Sequence, residues 1–243
     1  MTHGGKILLV SALALLAVPV LAQDSLPPTT GFPLDLSRSA PFRTEFEMLA
    51  RFGDSAHVTG RRVVEMAPAT YADAPVWLII ERRMGAVAAV ESLYVSQGMQ
   101  PLRWSGALGP ASLAMVFARD SIFGATSGPG GRQSVVVAGA PTMIVSLAML
   151  EALLPLLPLT EYWRDSVSAV VVDQSTTRIV PSELAVLGSD DRSDAWIVAL
   201  RATGQTLILW VNRQSGRIIR SQQPLPLHTA PLLEYRAVES SPP

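Results

Sequence analysis

Residues 142–159, TMIVSLAMLEALLPLLPL, constrain this chain more than any other stretch. They form an apolar run with one charged residue, Glu151, and two prolines. Met143, Leu147, Leu150, Leu154 and Leu157 recur at helical spacing, and Val145, Met149, Ala152 and Leu156 line a second apolar stripe. A helix that is apolar on two sides has to be covered over most of its circumference. About 20 apolar residues are needed to cross a bilayer, and Pro155 cuts this run short. The spacing therefore predicts a helix over 142–154 that is buried in the protein.

The rest of the chain reads as strand and turn. Residues 42–52 fit a helical face and a strand alternation equally well. Beyond them the runs 61–66, 76–84, 88–97, 102–106, 112–119, 120–125 and 132–137 precede the helix. The runs 166–173, 177–180, 183–187, 194–201, 205–212, 217–222 and 232–238 follow it. Most are rich in β-branched residues and are separated by Pro, Gly, Asn and Asp clusters. The Ser127-Gly128-Pro129-Gly130-Gly131 segment is followed by a further strand pattern and no lysine. It predicts a hairpin tip and not a phosphate cradle. Gly216 stands where a hairpin connection takes a positive φ. The pattern as a whole predicts a mainly β fold, a large antiparallel sheet or partly open β-barrel, with one apolar helix covering its concave face.

The N-terminal segment points to export. Lys6 precedes an apolar run from 7 to 18, and Val20-Leu21-Ala22 has the small-residue form of a cleavage site. The expected organisation is a signal peptide over 1–22, a flexible Pro/Ser/Thr-rich leader over 23–41 and a single β-rich domain over 42–243. The expected location after cleavage near Ala22 is periplasmic or secreted, with no transmembrane helix in the mature chain. There are no cysteines, so the fold rests on its hydrophobic core without disulfides, and no lipid-attachment cysteine follows the cleavage site. Lys6 is the one lysine among 19 basic residues, which face 20 acids. The arginines are scattered among those acids without a basic run, which excludes the patch of a nucleic-acid binder.

The sequence predicts neither a catalytic site nor a metal site, and no cofactor. His57 and His228 are the two histidines beyond the export segment, and both lie beside turn-forming residues. Zinc would require three or four ligands, and HExxH, GxSxG and SxxK are absent. A hydrolase using His57 or His228 is one alternative, because triads assemble in space and not in sequence. Asp190, Asp191 and Asp194 cluster without calcium-loop spacing and predict a solvated hairpin tip. The residues expected to touch a hydrophobic ligand are Met143, Leu147, Met149, Leu150 and Leu154 on the helix, with Trp104 and Trp210 on strands. The helix then has two readings: core packing alone, or a cover over space shared with a ligand.

Residues 206–226, TLILWVNRQSGRIIRSQQPLP, resemble a strand-turn-strand unit of the outer-membrane lipoprotein-sorting superfamily, in its uncharacterised periplasmic branch. In that unit an apolar strand ends in a Trp-Val-Asp/Asn turn and the next strand begins Gly-Arg. The preceding DAWIVALRATG and the segment LLPLTEY fit the same pattern. The resemblance covers about the last 90 residues. It implies an antiparallel, partly open β-barrel whose concave apolar side is covered by helices, and a lipid or acyl chain as ligand. A structural or adaptor module that binds another envelope protein through a sheet edge is a further alternative.

Overall fold

The structure, a computed structural model, describes residues 34–85, 88–118, 121–138, 143–172, 177–202, 205–223 and 232–238. The expected signal peptide and His228 lie outside the described residues, as does most of the expected leader. Within the described part the chain is mainly β. Its first strands are β1 (Phe42–Phe52), β2 (Ser55–Tyr71), β3 (Ala74–Gly85), β4 (Ala89–Ser96) and β5 (Pro101–Leu108). There follow β6 (Ala111–Phe117), β7 (Ser121–Gly128), β8 (Gly131–Ala138) and the two-residue β9 (Met143–Ile144). Helix α1 (Leu147–Leu153) and a 3-10 turn (Leu154–Leu156) come next. The strands β10 (Arg164–Val172), β11 (Thr177–Asp190), β12 (Ala195–Ala202), β13 (Gln205–Asn212), β14 (Ile218–Gln223) and β15 (Leu232–Ala237) complete the chain.

All fifteen strands belong to one sheet, in the order β8-β7-β6-β5-β4-β3-β2-β1-β15-β14-β13-β12-β11-β10-β9. Two meanders, β1 to β8 and β9 to β15, are joined where β1 pairs with β15, Met48 opposite Tyr235. Every pairing is antiparallel except that of β9 with β10, which joins Met143 to Ser168 and Ile144 to Ala169. Bulges at Met48/Leu49, Tyr94/Val95, Val186/Gly188 and Trp210/Val211 add local twist and bend to the sheet. The sheet curls until β8 comes within 8 Å of β11, but the two do not pair. The result is a partly open barrel.

The helix fills the inside of this curl. Residues 148–157 are all buried, and one continuous apolar cluster joins them to Phe46, Val64, Met66 and Ile79 of one meander and to Val167, Leu184, Val198 and Leu209 of the other. Each fully buried Leu or Met contributes about 1.5–3 kcal/mol relative to exposure. Packing of α1, not its propensity, therefore holds a seven-residue helix that would not persist alone.

The helix is shorter than the predicted 142–154. The Ser146 side chain accepts a hydrogen bond from Met149 N at 3.2 Å and caps the first turn. Before it, Met143–Ile144 form β9 instead of a helical turn. Pro155 ends the α-helix, and the chain tightens into the 3-10 turn. The predicted strands 177–180 and 183–187 are one strand, β11, that runs through Pro181. Pro181 lies within it, opposite Ser168 of β10. The ambiguous 42–52 segment is a strand, and the Gly-Pro-Gly-Gly segment is the β7–β8 hairpin tip.

Gly216 fixes how the sheet grips the end of the plug. Its φ is +69°, and a Cβ there would lie 2.5 Å from Pro155 Cα. Gly216→Ala is expected to lower the unfolding free energy by about 1–3 kcal/mol in chemical denaturation, through backbone strain and overpacking against the 3-10 turn. An unchanged midpoint would show that the turn is not held against the sheet at this point.

Candidate functional site

Alternation along three neighbouring strands places charged residues on the apolar inner face. Arg62 is in phase with Val64 and Met66 on β2. Glu81 and Arg83 are in phase with Trp77 and Ile79 on β3, and Glu91 with Leu93 and Val95 on β4. The registers set Arg62 opposite Arg83 and Glu81 opposite Glu91. The helix brings Glu151 down onto this group. Arg62, Glu81 and Glu151 are each no more than 2% exposed.

Arg62 is the centre of the cluster. Its Nη2 donates to Glu81 Oε2 at 2.8 Å and its Nη1 donates to Glu151 Oε1. The guanidinium carbon lies 5.1 Å from the ring centroid of Phe46 and 5.4 Å from that of Tyr235. Arg83 donates to the other oxygen of Glu81 and, at 3.4 Å, to Glu91. Glu81 thus belongs to the wall, whereas Glu151 is the acid that ties the plug to it.

Burial disfavours every charge here, and the partners decide the outcome. For Arg62, burial is outweighed by Glu151 and Glu81, which raise its pKa further. For Glu81, burial is outweighed by Arg62 and Arg83, which hold it well below the ordinary carboxylate range. Glu151 goes the other way: burial pushes its carboxyl up to about 7 despite Arg62. Burial and the facing Glu81 also raise Glu91. Arg217, at the start of the β14 side of the hairpin, stacks on Phe42 at 3.8 Å, and burial lowers its pKa although Glu151 opposes this. Among the described residues Arg62 Nε, Arg217 Nη1 and Trp77 Nε1 are buried without a hydrogen-bond partner.

The predicted ligand-contact residues separate into groups. Met149, Leu150 and Leu154 are buried in the central cluster, and Leu147 is half-buried at its margin. Trp104 faces inward between Leu93 and Met115. Met143 pairs through its backbone in β9, and its side chain lies outside the described part. Trp210 does not join them. It alternates with the inward Leu209 and Val211, and it lies on the outer face with Arg220 4.3 Å over its ring. Reading Trp210 as a pocket residue used its size; its phase on β13 places it outside.

His57 is exposed at the β1–β2 hairpin, 6.4 Å from the ring of Phe52. The Asp190–Asp194 segment is a hairpin tip: Asp190 accepts from Arg192 N and Ser193 Oγ, and Arg213 pairs with Asp191. The sequence reading did not single out Arg62, Glu81, Arg83 and Glu91. Their phase with the apolar residues on three successive strands is the signal that finds them.

On the outer face, Glu234 is fully buried beneath Arg51, Arg220 and Arg236 at 2.6, 3.2 and 3.0 Å. Burial pushes its carboxyl up, but hydrogen bonds from Arg51 and Gln222, with the other arginines, hold it at about 2. This group clamps the β1–β15–β14 junction.

No family model and no curated protein matches the chain. Among solved structures, a β-barrel-like protein of the domain of unknown function DUF1849 from Brucella abortus is similar at 11% identity. The match covers 82% of this chain and 95% of that one, with a TM-score of 0.48.

The carboxyl shifts set a pH dependence. With Glu151 raised from 4.5 to about 7, the folded state keeps a proton that the unfolded chain releases in that interval. Its contribution favours folding at the acid end and is lost as pH rises through 7. Glu81 and Glu234 contribute above the ordinary carboxylate pKa and lose that contribution only in strong acid, so they are constant across this window. Tm is expected to fall between pH 5.5 and 8, and to fall less in Glu151→Gln, with Glu91 supplying the remainder. Arg62→Met, which leaves two buried carboxylates without their cation, is expected to cost about 3–5 kcal/mol in the same denaturation assay, more than Glu151→Gln.

Proposed function

We propose that this chain is an exported, non-catalytic binding protein for a hydrophobic ligand, a lipid or an acyl chain, and that the curled sheet is its container. The observation that carries this reading is what fills the container. The interior of a barrel that does not close is occupied by ten consecutive buried residues, 148–157, held on a segment that pairs with the sheet through two residues of β9. A short helix on such an attachment is an element that an apolar ligand can replace. The gap where β8 approaches β11 without pairing is the way in. The export segment and the likeness of residues 206–226 to the lipoprotein-sorting superfamily support the same reading, with a periplasmic location.

The test is uptake by the delipidated mature protein. A fluorescent fatty acid is expected to bind with one saturable site. Gly216→Ala, which crowds Pro155, is expected to raise the affinity by loosening the plug. Absence of saturable uptake in both folded proteins would refute the carrier reading.

One observation favours a second reading, an adaptor that takes an extended partner segment. Among the described residues strand β8 pairs with β7 alone, and Val136 on it is 81% exposed. In that case crosslinking through a photoreactive residue at position 136 yields a defined partner, and delipidation leaves the yield unchanged.

A further inference from the structure

We propose that the ligand is an anionic amphiphile whose carboxylate or phosphate head takes the place of Glu151 on Arg62, while its tail takes the place of the leucines of α1. The inference rests on the container reading above and adds the chemistry of the head.

Inside the curl, among the described residues, Arg62, Arg83 and Arg217 face Glu81, Glu91 and Glu151, three cations and three acids. Five of the six belong to the sheet or its hairpins. Glu151 alone belongs to the plug. Moving the plug therefore leaves the container with one uncompensated cation, centred on Arg62 at 1% exposure.

A buried guanidinium that loses one of its two carboxylates is strongly disfavoured. A neutral oil would fill the apolar volume but leave that charge unpaired. An anionic head restores the pairing, and the exchange of Glu151 for the ligand head keeps Arg62 bonded in both states. This is what makes displacement of the plug feasible in an interior that is otherwise apolar.

Two further features fit the same occupant. Arg62 Nε and Arg217 Nη1 are buried donors without partners, so donors remain for more oxygens than Glu151 supplies. Arg217 also lies beside the end of the plug: Gly216, its neighbour, packs against Pro155. The head is thus placed at the Arg62–Arg217 side, and the tail takes the apolar volume that α1 and the 3-10 turn fill in the free protein.

The experiment compares three probes at pH 8 with the delipidated mature protein: laurate, dodecanol and inorganic phosphate alone. Laurate is expected to bind at least about tenfold more tightly than dodecanol, the difference of one charge-assisted pair. Inorganic phosphate alone is expected to bind far more weakly than laurate, since it lacks the tail. Arg62→Gln/Glu151→Gln, which removes the buried cation together with its acid, is expected to cut the preference for laurate over dodecanol to less than about threefold. Glu151→Gln removes the competing carboxylate and is expected to raise affinity for laurate but not for dodecanol. A purely structural role of Glu151 would move both alike. Equal binding of laurate and dodecanol, or a preference unchanged in Arg62→Gln/Glu151→Gln, overturns the head-group assignment while leaving the container reading in place. Binding of neither overturns both.

Discussion

The ion pairs of Arg62 are the interaction on which the rest of the structure depends. A guanidinium at 1% exposure on an apolar wall persists only because two carboxylates meet it and two aromatic rings lie near it. One carboxylate, Glu81, comes from the next strand and is itself held by Arg83. The other, Glu151, comes from the plug. The interaction therefore joins the sheet to the element that fills it. Hydrophobic burial supplies most of the energy of this packing, but burial is not directional. The ion pair specifies which face of an all-round apolar helix meets the wall.

The sheet explains why such a filling is needed. Fifteen strands in one curled layer expose a wide apolar inner face, and the two meanders meet through hydrogen bonds only at β1 and β15. Where the layer comes round again, β8 reaches β11 but does not pair with it. A barrel of this size leaves an interior too wide for its own wall side chains to fill. The chain solves this with its own segment, so container and contents are covalently one molecule. On the outer face the Glu234 group clamps β1, β14 and β15, the junction that keeps the two meanders in one layer.

Much of this was legible from residue pattern. The strand alternation gave the fold class and nearly every element. Residues 142–159 announced a helix that had to be buried, and Gly216 announced the positive-φ turn. The helix boundaries were less legible. Ser146 is a capping residue, but the apolar spacing continues through Met143 on both sides of it, and only pairing with β10 shows that Met143–Ile144 extend instead. The strand patterns stop at 180 and resume at 183 on either side of Pro181, whereas β11 runs through it. Trp210 was misplaced because size was read and phase was not. The charged cluster was the largest omission. Arg62, Glu81 and Glu91 each look like ordinary solvated residues alone; their meaning depends on three strands being adjacent, which is a tertiary fact.

The central claim is that the plug and a ligand occupy the same space in alternation. Amide hydrogen exchange resolved over residues 147–156, with and without laurate at saturating concentration, tests it most directly. The account expects slow exchange in the free protein, because these residues are buried, and markedly faster exchange when ligand displaces them, while the amides of β2 and β3 stay protected. Unchanged or increased protection of 147–156 on binding would contradict it, because the ligand would then sit elsewhere and the helix would be a permanent part of the core.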